Sequence, residues 1–186
     1  MLSGTAVTIA DMMTRRDQRV EEQQFFLSKY TSPVISFCLN IPGPIKTTAD
    51  LRRLFDDGLD AIIKLLSSNN FPVLDRIEIH ASTGDEAVLS VQSSAVELKK
   101  IMSEIEESHP LGRLFDIDVI DINGEKLSRN TYRKCLICDK QAQECARSRT
   151  HSVEEMQNKI EELLNPSKDA SLFHTPDPFR HTYPPT

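Results

Sequence analysis

The sequence predicts an α+β fold, in which one antiparallel sheet carries helices on one face. Short segments rich in β-favouring residues alternate with longer segments of helical periodicity, and Gly, Pro and Asn residues separate them. From about residue 33 to residue 122 the predicted order is strand, helix, strand, strand, helix, strand. This βαββαβ order is typical of the ferredoxin-like arrangement. We expect an N-terminal helix before this core and a C-terminal helical segment after it.

The N-terminal helix is predicted over residues 8–29. Thr8 and Asp11 have the spacing of a capping box, in which each side chain bonds the backbone N–H of the other residue. Ser32-Pro33 breaks the pattern. Four apolar residues fall near one face, as in an amphipathic helix. They are Ile9, Met13, Val20 and Leu27.

The elements of the core are predicted from periodicity and from residues that break it. The loop at 41–46 contains two prolines and a glycine, which exclude both a helix and a central strand. The predicted helices begin near Thr48 and at Ser94, and each carries apolar residues at helical spacing. The predicted strands are residues 34–40, 74–82 and 86–92, and a last strand that contains 115–119.

Composition and charge exclude several classes of protein. The chain has 186 residues, of which 39% are hydrophobic and 27% charged, as in an ordinary globular domain. A net charge of -6 argues against a general nucleic-acid binder. No apolar run approaches the roughly 18 residues that span a membrane, and the N-terminus lacks the apolar core of a signal peptide. We expect a cytoplasmic protein that binds neither nucleic acid nor membranes.

We expect one domain over residues 1–165, with a Cys- and Arg-rich segment at about 126–151. A last helix begins at Ser152 and carries apolar residues on one face. Residues 166–186 contain five of the ten prolines and show no periodicity. This composition predicts a flexible tail.

Two aspartates, Asp116 and Asp118, interrupt the apolar pattern of the last strand. Successive side chains of a strand point to opposite faces, so Phe115, Ile117 and Val119 should pack on the helices while the aspartates share the other face. About 6–7 Å apart at the backbone, the two carboxylates repel each other unless a cation lies between them. Mg²⁺ takes such oxygen ligands together with waters and phosphates. The alternative is a one-sided sheet with its polar face in water.

Three of the four cysteines lie in the pattern C-x2-C-x6-C-x5-H. In a reducing compartment such clustering favours metal binding or reactivity over disulfides. Cys135, Cys138, Cys145 and His151 would provide four ligands for Zn²⁺. Buried free thiols are the alternative, and a redox C-x-x-C pair is less favoured because no βαβ thioredoxin unit surrounds it.

A local excess of positive charge stands out in this acidic chain. Seven basic and two acidic residues lie between Lys126 and Arg149, which suits a polyphosphate ligand or an acidic partner protein. A solvated charge cluster is the alternative. Arg15 and Arg16 on the predicted N-terminal helix, and Lys46 after the proline-rich loop, are further candidates for binding phosphate.

Four stretches in this order carry a family resemblance. They are "RRDQR" (15–19), "NIPGPIK" (40–46), "SHPLGRLFDIDVI" (108–120) and "CLICDKQAQECARSRTH" (135–151). Together they resemble the CitX family, the apo-citrate lyase phosphoribosyl-dephospho-CoA transferases, also called citrate lyase holo-acyl-carrier-protein synthases. The resemblance covers about residues 5–165.

The resemblance implies a nucleotidyltransferase that uses 2′-(5″-triphosphoribosyl)-3′-dephospho-CoA as donor. The phosphoribosyl-dephospho-CoA group would pass to a serine of the citrate lyase acyl carrier protein, the γ subunit, and pyrophosphate would leave. On this basis we expect Asp116 and Asp118 to bind Mg²⁺, and Gly112 and Arg113 to hold the donor triphosphate. His109 is the candidate general base.

Other candidate residues follow from the same resemblance. A third carboxylate is expected from Glu78 or Asp121. The residues that would hold pyrophosphate or the acidic carrier protein are Arg129, Arg133, Arg147 and Arg149.

Two other functions fit the sequence. One is a non-catalytic, zinc-stabilised adaptor that docks an acidic carrier protein and needs the cysteines but not the aspartates. The other is a different D-x-D transferase, such as one that uses a sugar nucleotide.

Overall fold

The structure is a computed structural model that describes residues 2–129 and 131–165. The predicted α+β class is confirmed, and the predicted tail at 166–186 lies outside the described residues. No helix in the described part of the chain is both long and apolar enough to cross a membrane. The elements are α1 Ile9–Tyr30, β1 Val34–Leu39, α2 Ala49–Ser68, β2 Val73–Ala81, β3 Gly84–Val91, α3 Ala95–Ser108, β4 Phe115–Ile120, α4 Ala142–Ser148 and α5 Val153–Leu164, with a 3-10 turn at Gly112–Leu114.

The four strands form one antiparallel sheet in the order β2-β3-β1-β4. Strand β1 is therefore central and pairs with both β3 and β4, whereas β4 lies at an edge. The ferredoxin-like arrangement remains our interpretation of this order. Because β4 is an edge strand, one row of its backbone groups needs partners outside the sheet.

Helices α2 and α3 pack on one face of the sheet and form the main core with it. The inward-facing residues predicted for β4, namely Phe115, Ile117 and Val119, are all buried there. The Phe37 ring of β1 stacks on Phe55 of α2 with 5.1 Å between ring centroids, and it meets Phe115 edge-on at 5.4 Å. The alternation of β4 thus has the phase that its sequence predicts.

Helix α1 lies on the opposite face of the sheet. Its capping box at Thr8 is confirmed, but its apolar stripe is mostly not in contact with the core. Ile9, Met13 and Val20 are 82%, 62% and 47% exposed, and of the predicted set Leu27 alone is buried. The predicted helix is confirmed, but α1 is held by its C-terminal end and by the buried ion pair between Arg15 and Glu86 rather than by this stripe.

Side chains from outside the sheet satisfy the free edge of β4. The Ile117 N–H donates to Glu106 Oε1 at 3.1 Å, and Lys99 Nζ donates to the Ile117 carbonyl at 3.2 Å. Arg133 Nη2 donates to the Phe115 carbonyl at 2.7 Å. Helix α3 and the segment after β4 therefore close an edge that could otherwise pair with another chain.

The buried carboxylate of Glu106 holds this edge together. Arg129 Nη2 lies 2.8 Å from Glu106 Oε2, and Arg133 Nη1 lies 3.6 Å from Oε1. Burial raises the pKa of Glu106, and the two arginines oppose that rise. A buried charge of this kind is stable only while its partners stay in place.

We predict that Glu106→Ala lowers the free energy of unfolding by about 3–5 kcal/mol, because it leaves two half-buried arginines without their counter-ion. Urea unfolding followed by circular dichroism measures the change. Its neighbour Glu107 is exposed, with its carboxylate 3.8 Å from Arg129. Glu107→Ala should therefore cost less than about 1 kcal/mol. Equal losses for the two variants would contradict this account of the edge.

Candidate active site and metal centre

Asp116 and Asp118 lie on the sheet face opposite α2 and α3. In the register of the sheet Asp116 is opposite Cys38 and Asp118 is opposite Ser36. Both aspartates are half-buried. Helix α1 covers the neighbouring strands of this face, and the chain after β4 folds back beside the aspartates. The pair therefore lies in a recess of the sheet surface.

Asp116 is a carboxylate without a counter-ion among the described residues. Its nearest polar contact is the Cys38 thiol, with 4.0 Å between Sγ and Oδ2. Burial, and then the neighbouring Asp118, raise the pKa of Asp116. Burial, and then Asp116, also raise the pKa of Cys38 to about 12, so the thiol stays protonated. A cation would relieve this unfavourable set of charges.

Asp118 has one basic neighbour. Lys126 Nζ lies 2.5 Å from Asp118 Oδ2, in a pair open to solvent on the lysine side. Such a surface pair contributes little stability, so its exchange for a metal ion would cost little. The unpaired Asp116 and the weakly held Asp118 fit the oxygen ligand set that Mg²⁺ prefers.

A cavity of about 570 Å³ opens beside these aspartates, and we call it the aspartate cavity. Its size is within the usual range for small-molecule sites. Among the described residues of its wall, four basic side chains face three carboxylates, which leaves one net positive charge. The charged residues besides Glu106 are Lys99, Asp116, Asp118, Lys126, Arg129 and Arg133. An anionic ligand with a bound divalent cation suits this lining.

The predicted cysteine and histidine ligands come together in space. The ligand atoms of Cys135, Cys138, Cys145 and His151 all lie within 4.8 Å of one another. The Cys138 and Cys145 sulfurs are 3.5 Å apart, and His151 Nε2 lies 3.3 Å from Cys138 Sγ. Around a tetrahedral zinc, cysteine sulfurs at about 2.3 Å from the metal lie roughly 3.8 Å from one another. This Cys3His cluster is therefore arranged to bind a metal such as zinc.

The local fold positions each of these ligands. Cys135 and Cys138 lie in one turn, closed by a 2.8 Å bond from the Cys135 N–H to the Lys140 carbonyl. Burial raises the pKa of Cys135, but hydrogen bonds from the backbone N–H groups of Cys138 and Ile137 and from neighbouring thiols together lower it overall. For Cys145 on α4, burial and then Cys138 raise the pKa to about 11. A bound metal would favour the thiolate form of Cys145, because metal ligands must lose their protons.

A second cavity of about 620 Å³ lies next to the Cys3His cluster, and we call it the cysteine cavity. It contains Arg113 and Arg149 together with an apolar wall. The apolar residues of that wall include Leu136, Val153 and Met156. The structure thus places Arg113, expected beside the donor triphosphate, in a different cavity from Asp116.

In the described part of the chain, three residues line both cavities. They are Asn40, at the end of β1, and Ala142 and Ala146 of α4. Ala142 and Ala146 are four residues apart, so they share one face of their helix. Because alanine is small, this face leaves the two cavities adjacent to each other.

Gly112 permits close approach of protein rather than of a ligand. A Cβ at this position would lie 2.6 Å from the Glu106 carbonyl oxygen and 2.9 Å from that of Ile105. The glycine therefore allows the turn before β4 to pack against the last turn of α3.

His109 lies apart from the aspartates. Its ring packs on Phe115, with 4.7 Å between centroids, on the side of the sheet that α2 and α3 cover. Its Nδ1 accepts the Leu111 N–H at 3.1 Å, and burial lowers its pKa. His109 lines neither cavity, so its position gives no support to a role as general base.

The basic residues predicted nearer the N-terminus are also separate from the cavities. Arg15 is buried and pairs with Glu22 and with Glu86, at 3.0 Å from the latter. Arg16 is exposed on the same helix. Lys46 Nζ donates to the Ile41 carbonyl at 2.5 Å, and burial lowers its pKa.

Arg147 is exposed on α4.

Sequence reasoning missed the buried acid Glu86. It faces the same side of the sheet as Asp116, one strand beyond Cys38 in the register. Arg15 Nε and Arg19 Nη1 bind its two oxygens at 3.0 and 3.1 Å. The alternating pattern of β3 predicts its direction but not these partners, because they lie on a distant helix.

The two candidates for a third carboxylate lie elsewhere. Glu78 is paired in register with Ala87, whose side chain lies in the main core, so Glu78 is on the α2 side of the sheet. Asp121 closes the turn after β4, where its Oδ1 accepts the N–H groups of Asn123 and Glu125 at 2.9 and 2.8 Å. Neither carboxylate is beside Asp116.

Comparison with known proteins agrees with the resemblance. A family model described as CitX, apo-citrate lyase phosphoribosyl-dephospho-CoA transferase, matches residues 7–167. Relatives of that name occur in Shigella boydii serotype 18 and in the Escherichia coli strains O157:H7 EC4115 and SE11. Each is 38% identical over 169 residues, which cover 89% of this chain and 92% of the relative. The chain therefore belongs to the CitX family.

Proposed function

We propose that this protein transfers the phosphoribosyl-dephospho-CoA group from 2′-(5″-triphosphoribosyl)-3′-dephospho-CoA to a serine of the citrate lyase acyl carrier protein. The serine oxygen attacks the phosphorus of the triphosphate that is nearest the added ribose. A phosphodiester forms, and pyrophosphate leaves. The serine proton passes to solvent. Family membership supports the reaction, and the observation that carries the mechanism is the half-buried, unpaired Asp116 at a cationic cavity.

The side chains of the aspartate cavity have separable roles in this proposal. Asp116 and Asp118 would hold Mg²⁺, which when bound neutralises phosphate oxygens and orients the displacement. Lys99 and Lys126 supply positive charge beside the phosphates. Arg129 and Arg133 line the cavity, and their ion pairs with Glu106 hold them in place.

The Cys3His cluster has a structural role in the proposal. A site closed by four protein ligands is typical of structural zinc, whereas a catalytic zinc keeps one position open. Zinc there would tie the turn at 135–138 to α4 and to the start of α5. This would fix α4, which separates the two cavities. A cytoplasmic location would keep these thiols reduced.

The carrier protein is expected to approach the exposed basic side of this segment. Lys140 and Arg147 are exposed and suit an acidic partner. Because such contacts lie at the rim of an interface, they would mainly raise the rate of association.

We predict that Asp116→Asn and Asp118→Asn each reduce transfer on the order of 10³-fold, because several kcal/mol of charge stabilisation depend on the metal. The assay mixes protein, apo carrier protein, triphosphoribosyl donor and Mg²⁺, and mass spectrometry follows the gain of one prosthetic group.

Asp60→Asn is the matched control, since Asp60 is exposed on α2 and distant from the cavity. It should modify the carrier at the normal rate. Normal rates for both folded variants, Asp116→Asn and Asp118→Asn, would refute the metal assignment.

We also predict that the purified protein contains one zinc per chain. Cys138→Ser and Cys145→Ser should lose the metal and lower the melting temperature, because binding energy at a structural site contributes to folding. Elemental analysis and differential scanning fluorimetry measure the two effects. Cys38 lies outside the cluster, so Cys38→Ser should retain full zinc content. A folded wild-type protein without metal would exclude a zinc site.

A further inference from the structure

We infer that the cysteine cavity binds the nucleoside diphosphate part of the donor, and that Arg113 and Arg149 hold its diphosphate. This inference rests on the proposed function and deepens it. The donor carries two polyphosphate groups, a triphosphate on the added ribose and the diphosphate of the dephospho-CoA part. Described residues line two adjacent cavities, and each cavity has basic side chains.

Arg113 is the first reason for this assignment. It is half-buried, yet no described residue forms a hydrogen bond or an ion pair with its guanidinium. Burial, and then Arg133 and Arg129, lower its pKa, and the charges of Cys135 and Glu106 oppose this only in part. A half-buried cation beside other cations is unfavourable unless an anion joins it. A planar guanidinium suits a diphosphate because it can bind two oxygens at once.

The contrast with three other buried or half-buried arginines supports the choice of Arg113. Arg129 and Arg133 are held by Glu106, and Arg133 also donates to three backbone carbonyls. Arg15 is held by Glu86 and Glu22. These three are therefore committed to the fold, whereas Arg113 is available to a ligand.

The two cavities differ in the anion they suit. Asp116 and Asp118 line the aspartate cavity, and they would bring a divalent cation to a triphosphate. Among the described residues, the wall of the cysteine cavity has no carboxylate, so its arginines would hold an anion without a cation bound by carboxylates. Its apolar residues Leu136, Val153 and Met156 would contact an uncharged organic group attached to that anion. A nucleoside diphosphate ester has both parts.

The shared wall lets one molecule occupy both cavities. Asn40, Ala142 and Ala146 face each of them, so a ligand would cross at this place from one cavity to the other. The donor has its triphosphoribosyl group on the nucleoside of the dephospho-CoA part. That group would reach the aspartates while the diphosphate stays on Arg113.

Two partial ligands test the assignment by isothermal titration calorimetry on the full-length, zinc-loaded chain. Dephospho-CoA has the nucleoside diphosphate part of the donor but no triphosphate. Inorganic triphosphate with Mg²⁺ has the triphosphate but no nucleoside diphosphate part. Arg113→Gln should weaken dephospho-CoA binding about 10- to 100-fold, the loss expected for hydrogen bonds to a charged group. It should leave Mg²⁺-triphosphate binding within about twofold, and Arg113→Lys should recover part of the loss.

Asp116→Asn should show the opposite pattern, with Mg²⁺-triphosphate binding lost and dephospho-CoA binding kept. Zinc content and melting temperature show whether each variant is folded. Inorganic pyrophosphate should bind more weakly than dephospho-CoA, because it lacks the group that contacts the apolar wall.

The outcomes separate this inference from the proposed function. If dephospho-CoA does not bind the wild type, or if folded Arg113→Gln binds it normally, the inference is wrong. It is also wrong if Arg113→Gln weakens both ligands equally. If Asp116→Asn keeps Mg²⁺-triphosphate binding while Arg113→Gln loses dephospho-CoA, the diphosphate site stands and the metal mechanism fails.

Discussion

The antiparallel pairing of β4 with β1 fixes which side chains of β4 face the main core. Phe115, Ile117 and Val119 pack under α2 and α3, so Asp116 and Asp118 must share the other face. A shift of the register by one residue would bury both carboxylates in the core. Such a shift would also take the apolar side chains of β4 out of the core. The position of the aspartates is therefore a consequence of core packing.

The edge position of β4 links the site to the rest of the chain. Its free backbone groups are satisfied by α3 and by Arg133, and Glu106 keeps Arg133 and Arg129 in place. The same two arginines begin the segment that leads to the Cys3His cluster and to α4. The structure of the strand edge therefore determines where the walls of both cavities lie, and the charges that stabilise the fold also line the proposed active site.

Alternation and spacing were sufficient to predict the strands, the face of Asp116 and Asp118 and the four residues of the Cys3His cluster, because these patterns are local. Roles that depend on distant partners were not predictable. Arginine is a residue type that binds phosphate, but Arg15 pairs with Glu86, which is 71 residues away in the sequence. The apolar residues of α1 have a helical period that says nothing about which helix face meets the sheet. His109 is near Asp116 in sequence, yet it is on the other side of the strand.

The proposed function depends most on a divalent cation at Asp116 and Asp118. Its most direct test is the anomalous scattering of Mn²⁺, used in place of Mg²⁺, in crystals soaked with Mn²⁺ and inorganic triphosphate. The proposed function predicts an anomalous peak roughly 2.1 Å from an oxygen of each carboxylate and in contact with the triphosphate. A triphosphate bound with no metal at these carboxylates, or a metal held only elsewhere on the chain, would contradict it.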